Sequence, residues 1–299
     1  MPLEDQAPIP RGEEMAANSS DFNFSVVEGW GQGTRGRVFG GVTPAVATDS
    51  LDRVYIARRK PPAILVYDRD GNYLTEWGGN LLSSPHSVWI DGQDHIYVAD
   101  ADAHTVRKFD TSGRLLLTLG TPGQVGAPGQ PFNRPTWAAL APSGDLYVSD
   151  GYGQFRIHRF SAEGKLLHSW GEEGAGPGQF ALPHGLRVDR HGRVLVLDRT
   201  NRRLQVFDAD GAYIEEWPDL AAPNDLFIDQ DDNVFIAEGD YRISVFNLDG
   251  ELLARWGEHG EAPGQFANGP HGLWLDSRGD LYVGEVPFLH NRLQKFTRV

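Results

Sequence analysis

Three observations predict that this chain is all-β and forms a six-bladed β-propeller. One pattern of short strands and turns recurs six times with a period of about 40–50 residues, which is typical of one four-stranded blade per repeat. Acidic, glycine-bearing turns separate the strands, and no window carries the 3.6-residue apolar periodicity of an amphipathic helix. The repeats run without interruption from about residue 24, so we expect one closed domain over 21–299.

Each repeat opens with a Pro-x step that leads into an apolar strand. An acidic turn, a Val-Tyr-Val-type strand, a short polar break and a basic-apolar strand follow, and a turn such as Asp70-Gly71 leads into the last strand. The Pro-x steps are Pro44-Ala45, Pro85-His86, Pro135-Thr136, Pro183-His184, Pro223-Asn224 and Pro270-His271.

The last repeat stops after its third strand, so a fourth strand must come from elsewhere in the chain. The segment "FSVVEGWG" at 24–31 is similar to the "LLHSWG" and "LLARWG" segments that end other repeats. We therefore expect an N-terminal strand to complete the last blade and to remove its open edge.

Composition narrows the possible partners and surroundings of the chain. Residues 1–20 are polar and show no periodic pattern, which predicts a flexible arm. They lack the pattern of a secretory signal, and the sequence has no apolar run long enough to predict a membrane span. A cytoplasmic location is therefore expected. The net charge of −14 argues against a nucleic-acid partner, and the absence of cysteine restricts any metal to His, carboxylate or carbonyl ligands. The oligomeric state is left open.

The residue after the proline is a histidine in alternate repeats: His86, His184 and His271. If six blades close into a ring, these side chains point at one axis from roughly three-fold positions. Three neutral imidazoles with one open face are a common zinc site. A single histidine at this position would be read as a packed core residue, but three in one repeat position favour a metal.

The polar break after the second strand supplies a second group of candidates. Acids such as Asp100, Asp150 and Asp198 are expected to tie the following loop. Arg59, Tyr152 and Arg199 have no such structural reason to be there. A tyrosine can act as a general base where cations favour its phenolate, and two guanidiniums can also clamp a carboxylate, although ordinary loop ion pairs explain the arginines equally well.

The repeats resemble NHL repeats, and Ser149–Phe207, with "SDGYGQF", "LPHGL" and "LDRTN", resembles the catalytic core of peptidyl-α-hydroxyglycine α-amidating lyase. The segments "SPHSVWID" and "GPHGLWLD" are similar to the two other histidine motifs of that family. The resemblance implies a zinc-dependent lyase that cleaves the C–N bond of a carbinolamide carrying a carboxylate, in a small molecule or a peptide, to an amide and glyoxylate.

The same resemblance implies His86, His184 and His271 as zinc ligands, Tyr152 as the base, and Arg199 and Arg59 beside it. Arg58 is adjacent to Arg59, so the sequence leaves open which of the two lines the site. The family also holds a structural calcium, for which the backbone oxygens of Val46 and Val88 are candidates. Its acid after the third histidine is replaced here by Gly272.

Two other functions remain open on the sequence. A lactonase-type hydrolase also uses a channel ion in a six-bladed propeller, but those sites rest on carboxylates and Asn with calcium. A non-catalytic propeller that binds a protein partner is the other alternative, because a fold does not fix a function.

Overall fold

The protein is described by a computed structural model that covers residues 22–31, 42–286 and 292–299. Six four-stranded antiparallel sheets and one two-stranded parallel ribbon form its regular structure. The predicted all-β class is confirmed: the described residues contain no α-helix, and thus none long and apolar enough to cross a membrane. The predicted arm, 1–20, lies outside the described residues.

The strands follow the predicted order within each repeat. The N-terminal strand is β1 (Phe24–Val26). Blade 1 contains β2 (Ala45–Thr48), β3 (Val54–Ala57), β4 (Ile64–Tyr67) and β5 (Tyr73–Trp77). Blade 2 contains β6 (Pro85–Ile90), β7 (Ile96–Asp100), β8 (Thr105–Phe109) and β9 (Leu115–Leu119). Blade 3 contains β10 (Trp137–Leu140), β11 (Leu146–Asp150), β12 (Arg156–Phe160) and β13 (Leu166–Trp170).

The second half of the chain continues this order after a short ribbon. The ribbon consists of β14 (Glu172–Glu173) and β15 (Gln179–Phe180). Blade 4 contains β16 (Pro183–Val188), β17 (Val194–Asp198), β18 (Arg203–Phe207) and β19 (Tyr213–Trp217). Blade 5 contains β20 (Pro223–Ile228), β21 (Val234–Glu238), β22 (Arg242–Phe246) and β23 (Leu252–Trp256). Blade 6 contains β24 (Pro270–Leu275), β25 (Leu281–Glu285) and β26 (Leu293–Arg298).

The inner strands close the ring. Each of β2, β6, β10, β16, β20 and β24 contacts the inner strands of both neighbouring blades, and β24 contacts β2. Nearly all residues of the inner and second strands are buried, because the two faces of each sheet are covered by the two adjacent blades. The result is a channel lined by the starts of six inner strands.

The N-terminal strand completes blade 6, as predicted. Strand β1 pairs antiparallel with β26, with Phe24 opposite Arg298. Trp30, which follows β1, packs against Gly71, where φ is +88° and an added Cβ would come within 3.1 Å of the indole. Trp77 packs against Gly113 of the next blade in the same way. The N-terminal segment therefore takes both the pairing and the packing of a regular fourth strand.

Candidate functional site

The three histidines lie at the channel entrance, at the starts of inner strands in alternate blades. His86, His184 and His271, here called the histidine triad, are in β6, β16 and β24 and are almost completely buried. Their ring centroids are 4.8, 5.0 and 5.0 Å apart, a nearly equilateral triangle. The ring geometry expected from the repeats is therefore present.

The three intervening blades fix the orientation of the triad. Each Nδ1 lies 2.6–2.8 Å from a backbone carbonyl oxygen, and these oxygens belong to Thr136, Asn224 and Pro44. Because a carbonyl oxygen can only accept a hydrogen bond, each Nδ1 carries the proton and donates it. A ring that donates from Nδ1 keeps a lone pair on Nε2. The fold thus presents three Nε2 acceptors toward one another, which is how second-shell carbonyls prepare histidine ligands for a metal.

Strand pairing corrects one detail of the repeat alignment. Ala45 pairs with Ala57 as Ser87 pairs with Ala99, so the residue equivalent to His86 in blade 1 is Pro44, not Ala45. The shift arises because β6 contains a register irregularity between Pro85 and Ser87 that β2 lacks. At the positions equivalent to His86, blades that supply a backbone carbonyl therefore alternate with blades that supply a histidine around the whole ring.

The surroundings of the triad keep it uncharged. Burial lowers the pKa of all three imidazoles, and for His271 it lowers the pKa to about 3. Neighbouring members of the triad and the guanidiniums of Arg59 and Arg199 add repulsion that lowers the pKa of these rings further. Neutral imidazole is the form that binds metal.

The donor set fits a metal ion. One ligand atom from each histidine lies within 4.8 Å of the other two. Zinc accepts three imidazole nitrogens and leaves one position open, and the described part of the chain offers no carboxylate in this cluster. His86, His184 and His271 are therefore the residues that would hold such an ion.

Tyr152 covers the triad from the solvent side. It follows β11, is half-buried, and its phenol oxygen lies 2.8 Å from Nε2 of His86 and 3.3 Å from Nε2 of His184. Since both nitrogens are acceptors, one phenol proton serves two lone pairs. The guanidinium of Arg134, which sequence reasoning did not single out, lies over the tyrosine ring at 5.5 Å and pairs with Asp102.

The two arginines of the predicted site lie close enough to the triad to lower the pKa of its imidazoles. Arg59 acts electrostatically on all three histidines, and Arg199 acts on His184 and His271. The Nε atom of Arg59 is buried without a hydrogen-bond partner, whereas Nε of Arg58 donates to the carbonyl of Pro62. Arg59, rather than Arg58, therefore faces the site.

The three acids of the polar break tie loops, as the sequence suggested. Asp100 accepts the backbone N–H of Ser84, and Asp150 accepts that of Asn133. Asp198 accepts the backbone N–H groups of Ala181 and Leu182 and the side-chain amide of Asn201. Their oxygens are used within the fold and are not offered to a ligand of the triad.

Trp137 forms the floor of the site and was not foreseen. It is completely buried, and its ring centroid lies 5.7, 5.9 and 6.2 Å from those of His86, His184 and His271. Trp137 comes one residue after Thr136, the residue that follows the proline in this repeat, and therefore lies one residue further along the channel. The signal was present in "RPTWAAL", because this is the sole repeat with a large aromatic side chain at that position.

The residues present do not fit the calcium site that the resemblance implied. Val46 and Val88 are buried at equivalent positions of the inner strands β2 and β6. At Gly272 an added Cβ would lie 2.6 Å from Cα of Ala45 in the neighbouring blade and still closer to the carbonyl of Pro44. An acid cannot be accommodated there without moving the two blades apart.

Comparison with known proteins agrees with the repeats. The NHL repeat family matches residues 82–109 and 180–207. The human NHL repeat-containing protein 3 is 36% identical over 83% of this chain and 78% of its own length; the mouse protein is 34% identical, and the match spans 65% of its length. The Drosophila melanogaster peptidyl-alpha-hydroxyglycine alpha-amidating lyase 1 is 32% identical over 52% of this chain and 31% of its own length.

A solved structure of a streptogramin B lyase shares the fold. It superposes with a TM-score of 0.64 over 94% of this chain and 99% of its own, at 13% identity. Relatives named as amidating enzymes thus align with about half of the chain, whereas NHL repeat-containing protein 3 aligns with most of it. The chain belongs to the family of NHL-repeat β-propeller proteins that includes NHL repeat-containing protein 3 and has homologues named as amidating lyases.

Proposed function

We propose that this propeller is a zinc-dependent lyase that cleaves the C–N bond of a carbinolamide of the α-hydroxyglycine type. The observation that carries the proposal is the meeting of Tyr152 with two inward-facing Nε2 atoms of the triad, with Arg59 and Arg199 at the same opening. The partial similarity to the fly lyase supports the same chemistry.

The reaction needs one proton acceptor and one anion site. The substrate, R–CO–NH–CH(OH)–COO⁻, loses its hydroxyl proton; the O–H electron pair forms the new C=O bond, and the C–N pair leaves with nitrogen, which is protonated. The products are R–CO–NH₂ and glyoxylate, so atoms and charge balance. Bound zinc would supply a Lewis acid for the substrate hydroxyl.

The chain's own residues would supply the remaining parts. Tyr152, as phenolate, would take the hydroxyl proton, since its oxygen already lies at the Nε2 edge of the triad. Arg59 and Arg199 are half-buried and would hold the substrate carboxylate through charge-assisted hydrogen bonds. Trp137 would exclude water from the channel side, because it fills the space beneath the triad.

The metal is tested first. Purified protein and His184→Ala are compared by elemental analysis, with His191→Ala, an exposed histidine, as the matched control. We expect about one zinc per chain in the wild type and in the control, and loss of that zinc in His184→Ala. Calcium without zinc in the wild type would instead favour the lactonase alternative, and no bound metal would favour a binding module.

The reaction is then tested with α-hydroxyhippurate, by measuring glyoxylate release. Tyr152→Phe should lower turnover on the order of 10²–10⁴-fold while zinc is retained. Tyr213→Phe, on an outer strand, serves as the control and should leave the rate unchanged. A fully active Tyr152→Phe protein would remove the phenol from the mechanism, and a zinc-loaded wild type without glyoxylate release would contradict the proposed reaction.

A further inference from the structure

Beneath the floor of the site, the channel holds a buried ion pair. Nη2 of Arg187, in β16, lies 3.2 Å from Oδ1 of Asp225, in β20. Both side chains are almost inaccessible to solvent. A buried pair of this kind is costly to assemble, so its presence calls for a reason in this part of the fold.

Asp225 occupies the same position in blade 5 that Gly272 occupies in blade 6. Asp225 pairs with Ala237 in blade 5 just as Gly272 pairs with Gly284 in blade 6, so the two residues occupy equivalent positions in adjacent blades. The acid that the resemblance places after the third histidine is therefore present in this channel, displaced by one blade. Gly272 has no room for it, because the backbone of Pro44 and Ala45 lies against its Cα.

The carboxylate of Asp225 is fully engaged by the protein. Its Oδ1 accepts the backbone N–H of Leu226 at 2.8 Å, and its Oδ2 accepts that of Leu273, in blade 6, at 3.0 Å. With Arg187 it thus ties blades 4, 5 and 6 together. A bound cation would have to displace the guanidinium to reach this carboxylate.

The guanidinium of Arg187 also contacts two aromatic rings. It lies 5.8 Å from the ring centroid of Trp137 on one side and 5.8 Å from that of Trp274 on another. Its Nη1 donates to the carbonyl of Leu186, whereas Nε and Nη2 make no hydrogen bond to the described protein atoms. Two cation–π contacts and one carboxylate are a suitable environment for a permanent positive charge.

We propose that Arg187, paired with Asp225 and held between Trp137 and Trp274, is the built-in cation of the channel and takes the place of a structural calcium. Through its pairing with the carboxylate of Asp225, the guanidinium links the inner strands of blades 4 to 6, as a divalent ion coordinated by several blades would. The fold then needs no calcium in this part of the channel. This inference concerns the channel below the triad and is independent of the reaction proposed above.

The first test is calcium dependence of the wild-type protein. The protein is dialysed against calcium-free buffer at constant zinc, its calcium content is measured, and its apparent melting temperature is compared with and without millimolar calcium at one scan rate. We expect no retained calcium and an unchanged melting temperature, because a ligand of the folded state would raise it. Stoichiometric calcium whose removal lowers the melting temperature would overturn the proposal.

The second test separates charge from packing. Arg187→Met keeps most of the side-chain volume but leaves Asp225 buried without a cation, and should lower the apparent melting temperature by about 10 °C. Adding Asp225→Asn to this variant removes the uncompensated charge and should restore at least half of the loss. Arg190→Met, which removes an exposed arginine nearby, is the control and should melt with the wild type.

The comparison is decisive even if the single variant is insoluble. A double variant that folds where Arg187→Met does not, or that melts well above it, supports the ion-pair role. A double variant no more stable than Arg187→Met, or an Arg187→Met protein as stable as the wild type, would assign Arg187 a packing role only and overturn the proposal.

Discussion

Lowering the pH should destabilise the metal-free protein through the histidine triad. Burial lowers the pKa of the three imidazoles in the folded chain, whereas the unfolded chain protonates them near pH 6.5. The unfolded state therefore binds more protons below that pH. The stability associated with the neutral rings is fully present above about pH 6.5 and is lost as the pH falls toward the folded-state pKa.

The size of the effect follows from the pKa values. For His271, with a folded pKa of about 3, the loss in unfolding free energy between about pH 7.5 and pH 5 is about 2 kcal/mol. Three rings that all stay neutral would lose about 6 kcal/mol. Burial raises the pKa of Asp225 to about 6, which has the opposite sign and offsets about 1.4 kcal/mol over this range. Burial also raises the pKa of Glu285, which acts in the same direction as Asp225, so the net loss is at most about 4–5 kcal/mol, still a large part of the stability of an ordinary domain.

The measurement is urea unfolding of chelator-treated protein, followed by tryptophan fluorescence at several pH values between about 7.5 and 5. A variant with asparagine at all three triad positions keeps a side-chain donor but cannot titrate here, so its stability should not fall over this range and should rise by about 1.4 kcal/mol toward pH 5 through Asp225. His191→Asn, at an exposed position, should behave like the wild type. An equal acid-induced loss in the triple variant would refute the assignment to the triad.

Three further predictions follow from the fold and the site. Trp30→Ala should lower the unfolding free energy by about 3 kcal/mol in urea titrations, since Trp30 is 5% exposed and seals the ring; an unchanged midpoint would contradict the closure described above. Arg59→Gln should raise KM for the carboxylate substrate about 10- to 100-fold, whereas Arg58→Gln should leave KM unchanged. Equal effects of the two substitutions would contradict the assignment of Arg59 to the site. Gly272→Ala should cost about 1–3 kcal/mol by urea unfolding, in contrast to the open Gly92→Ala, and a neutral result would mean that the blades can move apart.

The site shows where repeat-based reasoning works and where it stops. A repeat assigns the same local conformation to each copy, so alternate histidines in one position are already placed on a ring once the number of blades is known. It cannot show which carbonyl each Nδ1 meets, because Thr136, Asn224 and Pro44 belong to the next blade in each case, and blade 1 is next to blade 6 only after ring closure. The one-residue difference at Pro44 likewise arises from strand pairing.

The channel interior was the least accessible to sequence reasoning. Arg187, Asp225 and Trp137 come from three different repeats and occupy positions whose other copies are small or apolar, so no pattern connects them. A charged residue in a buried strand carries no local signal of its partner, since the partner is chosen by long-range packing. The choice between Arg58 and Arg59 is of the same kind, because adjacent residues of a loop differ only in which way the tertiary structure turns them.

The amino-acid sequence by itself determined the all-β class, the number of blades, the closure by an N-terminal strand and the three histidines that share one position. These features are local or periodic, and strand propensity, turn chemistry and repetition encode them directly. Only the tertiary structure decided the tautomer that the carbonyls impose on the triad, the tryptophan beneath it, and the pairing of Arg187 with Asp225 in the channel. Those features depend on atoms that are far apart in the chain and meet only when the blades pack against one another.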